Sequence, residues 1–134
     1  MSLLLLSIDN EWSNGLPLSM NILKIKTIPS FDRQAKKLLT VEAQEDLFDY
    51  LEAHPEKGDI IAGTGGVRKL RWVTGKNNKG KRGGVRVLYH YSKNVLIILI
   101  MLYSKNDMEN ITDTEKNELK KLIPELVRKY KEED

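Results

Sequence analysis

The chain has 134 residues, 40% hydrophobic and 31% charged, which fits one globular domain and excludes wholesale disorder. It has no cysteine, which excludes disulfides, thiolate metal sites and cysteine nucleophiles together. The net charge is +3, yet Ile60 to Asn106 carries ten Lys and Arg and no acid, leaving twelve basic against nineteen acidic residues elsewhere; this segregation points to a polyanion-binding face, nucleic acid foremost.

Residues 1–19 differ in character from the rest of the chain and are expected to be an N-terminal extension to a domain spanning 20–134. The short Leu3 to Leu6 run has no basic residue before it, so it makes a poor signal peptide. Asn21 to Ile28 alternates polar and apolar residues and predicts a first strand. Ser30 is expected to cap a helix with Phe31, Ala35, Leu38 and Leu39 on its apolar stripe. Thr40 is expected to cap a second helix with Leu47, Phe48 and Leu51 inward, ended by Pro55 and Gly58, the two making a hairpin.

Gly63, Gly65 and Gly66 lead into a strand over Val67 to Val73. They lack the spacing of a phosphate-binding loop that ends in Lys-Ser/Thr and are read as a turn. Gly75 to Gly84 is a basic loop, Val85 to Tyr91 a strand, and Val95 to Tyr103 a strand apolar on both faces. That last run has nine residues against the roughly 20 of a membrane-spanning helix, so no membrane partner is expected. Thr112 and Glu115 predict a capping box opening a final helix, which Pro124 should kink or split. The order β-α-α-β-β-β-α predicts a small α+β domain: an antiparallel-rich sheet of about four strands, helices on one face, an N-terminal helical hairpin and a C-terminal helix.

Strand periodicity sorts the cations. Lys69 and Arg71 share one face of their strand, Arg86 shares a face with Leu88 and His90, and Lys105 comes after Tyr103 at a strand end. Unpaired charges are costly to bury, so this parity should be the open face. Lys76, Lys79, Lys81 and Arg82 would rim it. Such a face can cleave RNA without metal: the 2′-hydroxyl attacks the adjacent phosphorus, and fixed cations stabilise the phosphorane. A lysine crowded by cations can serve as general base. His90 reads as structural or substrate-contacting, His54 as solvent-facing, and Trp72 as core. With two His and no Cys, neither a metal site nor a cofactor is expected.

Three segments, DIIAGTGGVRKLRW from Asp59, GKRGGVRVLYHY from Gly80 and LYSKNDMENIT from Leu102, together with the HPEKG segment His54 to Gly58, resemble RelE-superfamily toxins of the HigB-like branch. The resemblance runs from Asn21 to about Leu126. It implies a microbial-RNase-like fold, cleavage of mRNA on the ribosome in the bacterial cytoplasm, and a cognate antitoxin of helix-turn-helix type. By position it implies Lys69, Arg71, Arg86 and Lys105 as catalytic residues. Arg68, Lys79, Lys81, Arg82, Tyr91 and Tyr103 are implied as RNA-binding. Asp107 departs from the glutamate usual there, and the general base is left unassigned. The alternative is a non-catalytic nucleic-acid- or ribosome-binding module on the same fold.

Overall fold

The computed structural model describes residues 23–76, 84–105 and 110–133, with the backbone of 12–13 and 16–17, which pair as a short antiparallel ribbon. Beyond the ribbon the described residues form eight elements: β1 (Lys24–Thr27), α1 (Pro29–Leu38), α2 (Val41–Ala53), β2 (Asp59–Ile60), β3 (Val67–Trp72), β4 (Val85–Ser92), β5 (Leu96–Ser104) and α3 (Asp113–Lys131). The strands form one sheet in the order β1-β5-β4-β3-β2. β1 runs parallel to β5 and every other pairing is antiparallel.

The sheet therefore has five strands, the extra one being the two-residue β2 at its edge, too short to leave a periodic signal. Helices also cover both faces, not one. Phe31 and Ala35 of α1 and Leu47 and Leu51 of α2 pack with Leu70, Val87, Tyr89, Ile97 and Leu99 on one side. Leu119, Ile123 and Tyr130 of α3 pack with Val67, Leu88, Leu96 and Ile98 on the other. β5, apolar at both parities, forces this: each of its faces must leave water.

Helix α1 starts at Pro29, whose fixed φ suits the first helical position, and Ile28 rather than Ser30 stands at its N-cap. The Ser30 hydroxyl instead donates to the Ile100 carbonyl at 2.5 Å. Ile100 lies where the β4–β5 register shifts, so the bond ties α1 to the bulge. α1 lies closely along β5, and it meets α2 through Phe31 and Phe48, ring centroids 6.4 Å apart. The two helices thus dock on the sheet side by side in sequence, not as a hairpin zipped along its length.

Thr40 caps α2 by accepting from the Ala43 amide at 3.1 Å. Thr112 and Glu115 exchange both capping-box bonds, at 2.8 and 3.1 Å. Pro124 does not split α3, which runs unbroken from Asp113 to Lys131. Pro124 cannot donate to the Lys120 carbonyl, but Ile123 just before it and Tyr130 after it are buried, and that packing keeps the helix continuous. Gly65, at φ 77°, comes so close here that an added Cβ would lie 3.4 Å from the Lys120 Cα.

Candidate functional site

Strand register sets the site. Arg71 of β3 stands directly opposite Arg86 of β4, and Arg86 directly opposite Tyr103 of β5. The next row on the same face is Asp59, Lys69, Leu88 and Met101. This is the face that α3 covers, but only in part. Leu88 lies under the helix, whereas Arg71 is exposed and Lys69 and Arg86 are half-buried.

A cleft of about 590 Å³ opens there, and Lys69, Arg71, Arg86 and Lys105 all line it. The four cations inferred from strand parity thus come together. None of their side chains forms an ion pair or hydrogen bond with a described residue. Directly opposed like charges on adjacent strands destabilise a sheet. A second hollow of about 410 Å³ shares Arg71 and Arg86 and adds Trp72, Val73 and Gly84. A smaller recess of about 210 Å³ shares Lys69 and Asn110 and brings in Tyr103. Burial pushes the Tyr103 phenol above the ordinary tyrosine range, and the positive charge of Arg86 opposes the shift in part. The phenol is therefore protonated at neutral pH and can donate.

Other expected contacts lie elsewhere. Arg68 points away from the cleft: its guanidinium donates to the carbonyls of Glu56 and Gly58 at 2.9 and 2.7 Å and pairs with the Glu56 carboxylate at 3.9 Å. Tyr91 lies at the far end of β4, where its hydroxyl accepts from the Asn94 amide at 3.0 Å. Lys76 reaches the Lys37 carbonyl at the end of α1. Lys79, Lys81, Arg82 and Asp107 lie outside the described residues.

Tyr50, Lys57 and Asp59 also line the cleft and are not among the residues that strand parity singles out, although Lys57 and Asp59 lie in the segments that carry the family resemblance. Lys57 and Asp59 reach the cleft through a pinned turn. The Tyr89 hydroxyl donates to the Pro55 carbonyl and accepts from the Gly58 amide, both at 2.8 Å. Burial raises the Tyr89 pKa, with the Gly58 hydrogen bond pulling the other way. The HPEKG segment is thus a scaffold, clasped by Tyr89 from inside and Arg68 from the edge. The segment itself stands out in the sequence, although nothing there locates the tyrosine that grips it.

The glycine cluster is also a scaffold. Thr64, fully buried, donates to the Ile61 carbonyl at 2.7 Å and accepts from the Val67 amide at 3.0 Å. His90 Nδ1 lies 2.9 Å from the Gly66 carbonyl and Nε2 3.1 Å from the Ser92 hydroxyl, so both ring nitrogens are occupied. Among the described residues no cluster of three or more His, Asp or Glu is placed to hold a metal ion, and no helix is long and apolar enough to cross a membrane.

A sequence model of the family described as the RelE toxin of the RelE/RelB toxin–antitoxin system matches residues 20–134. Among solved structures, a mutant of E. coli toxin RelE in the free state is similar at 14% identity and a TM-score of 0.48, over 66% of this chain and 88% of that one.

Proposed function

Because the chain belongs to the RelE toxin family, we propose that it is a metal-independent endoribonuclease of the HigB-like branch, cutting mRNA on the ribosome in the bacterial cytoplasm. Its partner is an antitoxin of helix-turn-helix type. The observation that carries this reading is the convergence of Lys69, Arg71, Arg86 and Lys105 on one cleft, with Arg71 facing Arg86 and no carboxylate paired to either among the described residues. Two opposed guanidinium groups offer a fork of donors that matches a phosphate and its more negative transition state.

That placement supports the following chemistry. The substrate's 2′-oxygen forms a bond to the adjacent phosphorus as the bond to the 5′-oxygen breaks. The products are a 2′,3′-cyclic phosphate and a 5′-hydroxyl. Arg71 and Arg86 bind the non-bridging oxygens as charge builds on them. Asp59, beside Lys69, is the carboxylate on the cleft wall and accepts the 2′-hydroxyl proton. Lys105 or the protonated Tyr103 phenol supplies a proton to the departing 5′-oxygen. In-line attack needs a kinked backbone, which a ribosome-bound message supplies in advance; free RNA is therefore cut poorly.

Induced expression should stop growth and produce new mRNA 5′ ends inside translated frames. Arg86→Ala should abolish both, slowing cleavage of ribosome-bound message by about two orders of magnitude or more. A soluble, folded protein that leaves growth and mRNA ends unchanged would refute the reading. An Arg86→Ala variant that loses only RNA affinity would make the chain a binding module. Equal cutting of free and ribosome-bound message would remove the ribosome from the mechanism.

A further inference from the structure

Tyr50 has no part in the cleavage chemistry, yet it lines the same cleft as Lys69, Arg71 and Arg86. It stands in the last turn of α2, where Leu47 and Leu51 are fully buried and carry the packing. Tyr50 itself is half-buried. Its ring lies 5.2 Å from Trp72, at 46° between planes, and 4.9 Å from His54, at 44°. Trp72 is in turn fixed by its indole N–H, which donates to the Ala43 carbonyl at 2.9 Å. The Tyr50 hydroxyl makes no hydrogen bond with a described residue, so the ring contacts and packing against the core beneath α2 hold the side chain. Trp72 borders the neighbouring hollow, and Arg71 and Arg86 are common to both spaces. A partly exposed aromatic pair thus borders a cleft whose two arginine side chains find no partner among the described residues.

We infer that Tyr50, backed by Trp72, forms a nucleobase-stacking subsite for a nucleotide whose phosphate lies on Arg71 and Arg86. This rests on the RNA-cleaving reading of the same cleft. Proteins that grip single-stranded nucleic acid combine cations for the backbone with aromatic faces for splayed bases, and both are present here within one cavity. The ring is immobilised before binding, so little side-chain freedom is lost when a base docks. Stacking tolerates every base but holds purines most strongly, through their larger face.

The test uses the full-length protein and a non-cleavable 2′-O-methyl trinucleotide. Binding is tracked by Trp72 emission in a Trp12→Phe background, Trp12 and Trp72 being the two tryptophans of the chain. Tyr50→Phe should bind as the parent does. Tyr50→Leu, which keeps the packing, and Tyr50→Ala should bind about five- to 150-fold more weakly, the usual scale for one stacked base. Replacing the flanking nucleotide by an abasic one should cost the same factor, and combining it with Tyr50→Leu should cost nothing further. Tyr50→Leu binding as tightly as the parent while Arg86→Ala binds weakly would overturn the subsite and leave the cleft reading standing. Losses that simply multiply would overturn it too. Full affinity in Arg86→Ala would bring down the cleft reading and the subsite with it.

Discussion

Arg71 and Arg86 are held side by side by backbone pairing, and their side chains find no hydrogen-bonding or ionic partner among the described residues, so the sheet bears their repulsion in the absence of substrate. Opposed like charges on adjacent strands cost a few tenths to about 1 kcal/mol. Arg71→Ala should therefore leave the melting temperature unchanged or slightly raised while cleavage falls by about 10²-fold or more. Asp59→Asn separates the proton acceptor from the scaffold in the same way. It keeps shape and removes basicity, so RNA affinity should hold or rise as cleavage falls; unchanged cleavage would dismiss Asp59 as the base. Strand parity pairs Lys69 with Arg71, and the cost of burying charge put Arg86 on the same face, although that face is one α3 partly covers and not an open one. Arg68 shows the limit of that reasoning. Adjacent to Lys69 and equally basic, it points the other way, and only the structure shows its bonds to Glu56 and Gly58.

At the level of elements, the turn after α2 places Lys57 and Asp59, and its geometry depends on Gly58. A Cβ there would lie 2.8 Å from both the Tyr89 Cε1 and its hydroxyl oxygen. Gly58→Ala must push the Tyr89 ring or the turn aside, and overpacking of this kind costs about 1–3 kcal/mol. The prediction is a lowered melting temperature together with reduced cleavage, because the same displacement moves Asp59 against Lys69. A variant as stable and as active as the parent would show that the clasp does not position the cleft wall. The Thr40 cap, the capping box and the starts of β3 and β4 could be inferred from local residues; the N-cap of α1 could not, since Ser30 bonds the Ile100 carbonyl instead. The placement of α3 could have been inferred too. Leu96, Ile98 and Ile100 on β5 alternate with Ile97 and Leu99, and both sets are buried, so a second helical layer was required. The two-residue β2 and the Tyr89 clasp were not accessible, since each depends on pairing between distant segments.

Charge is segregated along the chain. The stretch from Ile60 to Asn106 carries ten cations and no acid, and the rest of the chain is net negative by seven. Glu42, Glu45, Asp46, Asp49 and Glu52 are exposed on α2, away from its buried Leu47 and Leu51. The proposed ribonuclease activity requires that the cationic cleft be covered when cleavage is not wanted. The chemistry that covers it is a segment bearing carboxylates, which can pair with Arg71 and Arg86 where they find no partner among the described residues of the chain itself. The proposed antitoxin should therefore present an acidic segment to the cleft and be steered to it over a distance. Between about 0.01 M and about 1 M salt the screening length falls from roughly 30 Å to roughly 3 Å. Association should slow by about tenfold or more across that range, with dissociation changing much less, as steering acts on the encounter. Stopped-flow mixing of toxin and antitoxin at stepped salt concentrations measures this directly. Arg71→Ala and Lys105→Ala should each flatten the slope. An association rate that does not vary with salt would mean that the antitoxin docks elsewhere and restrains the toxin without covering its basic cleft.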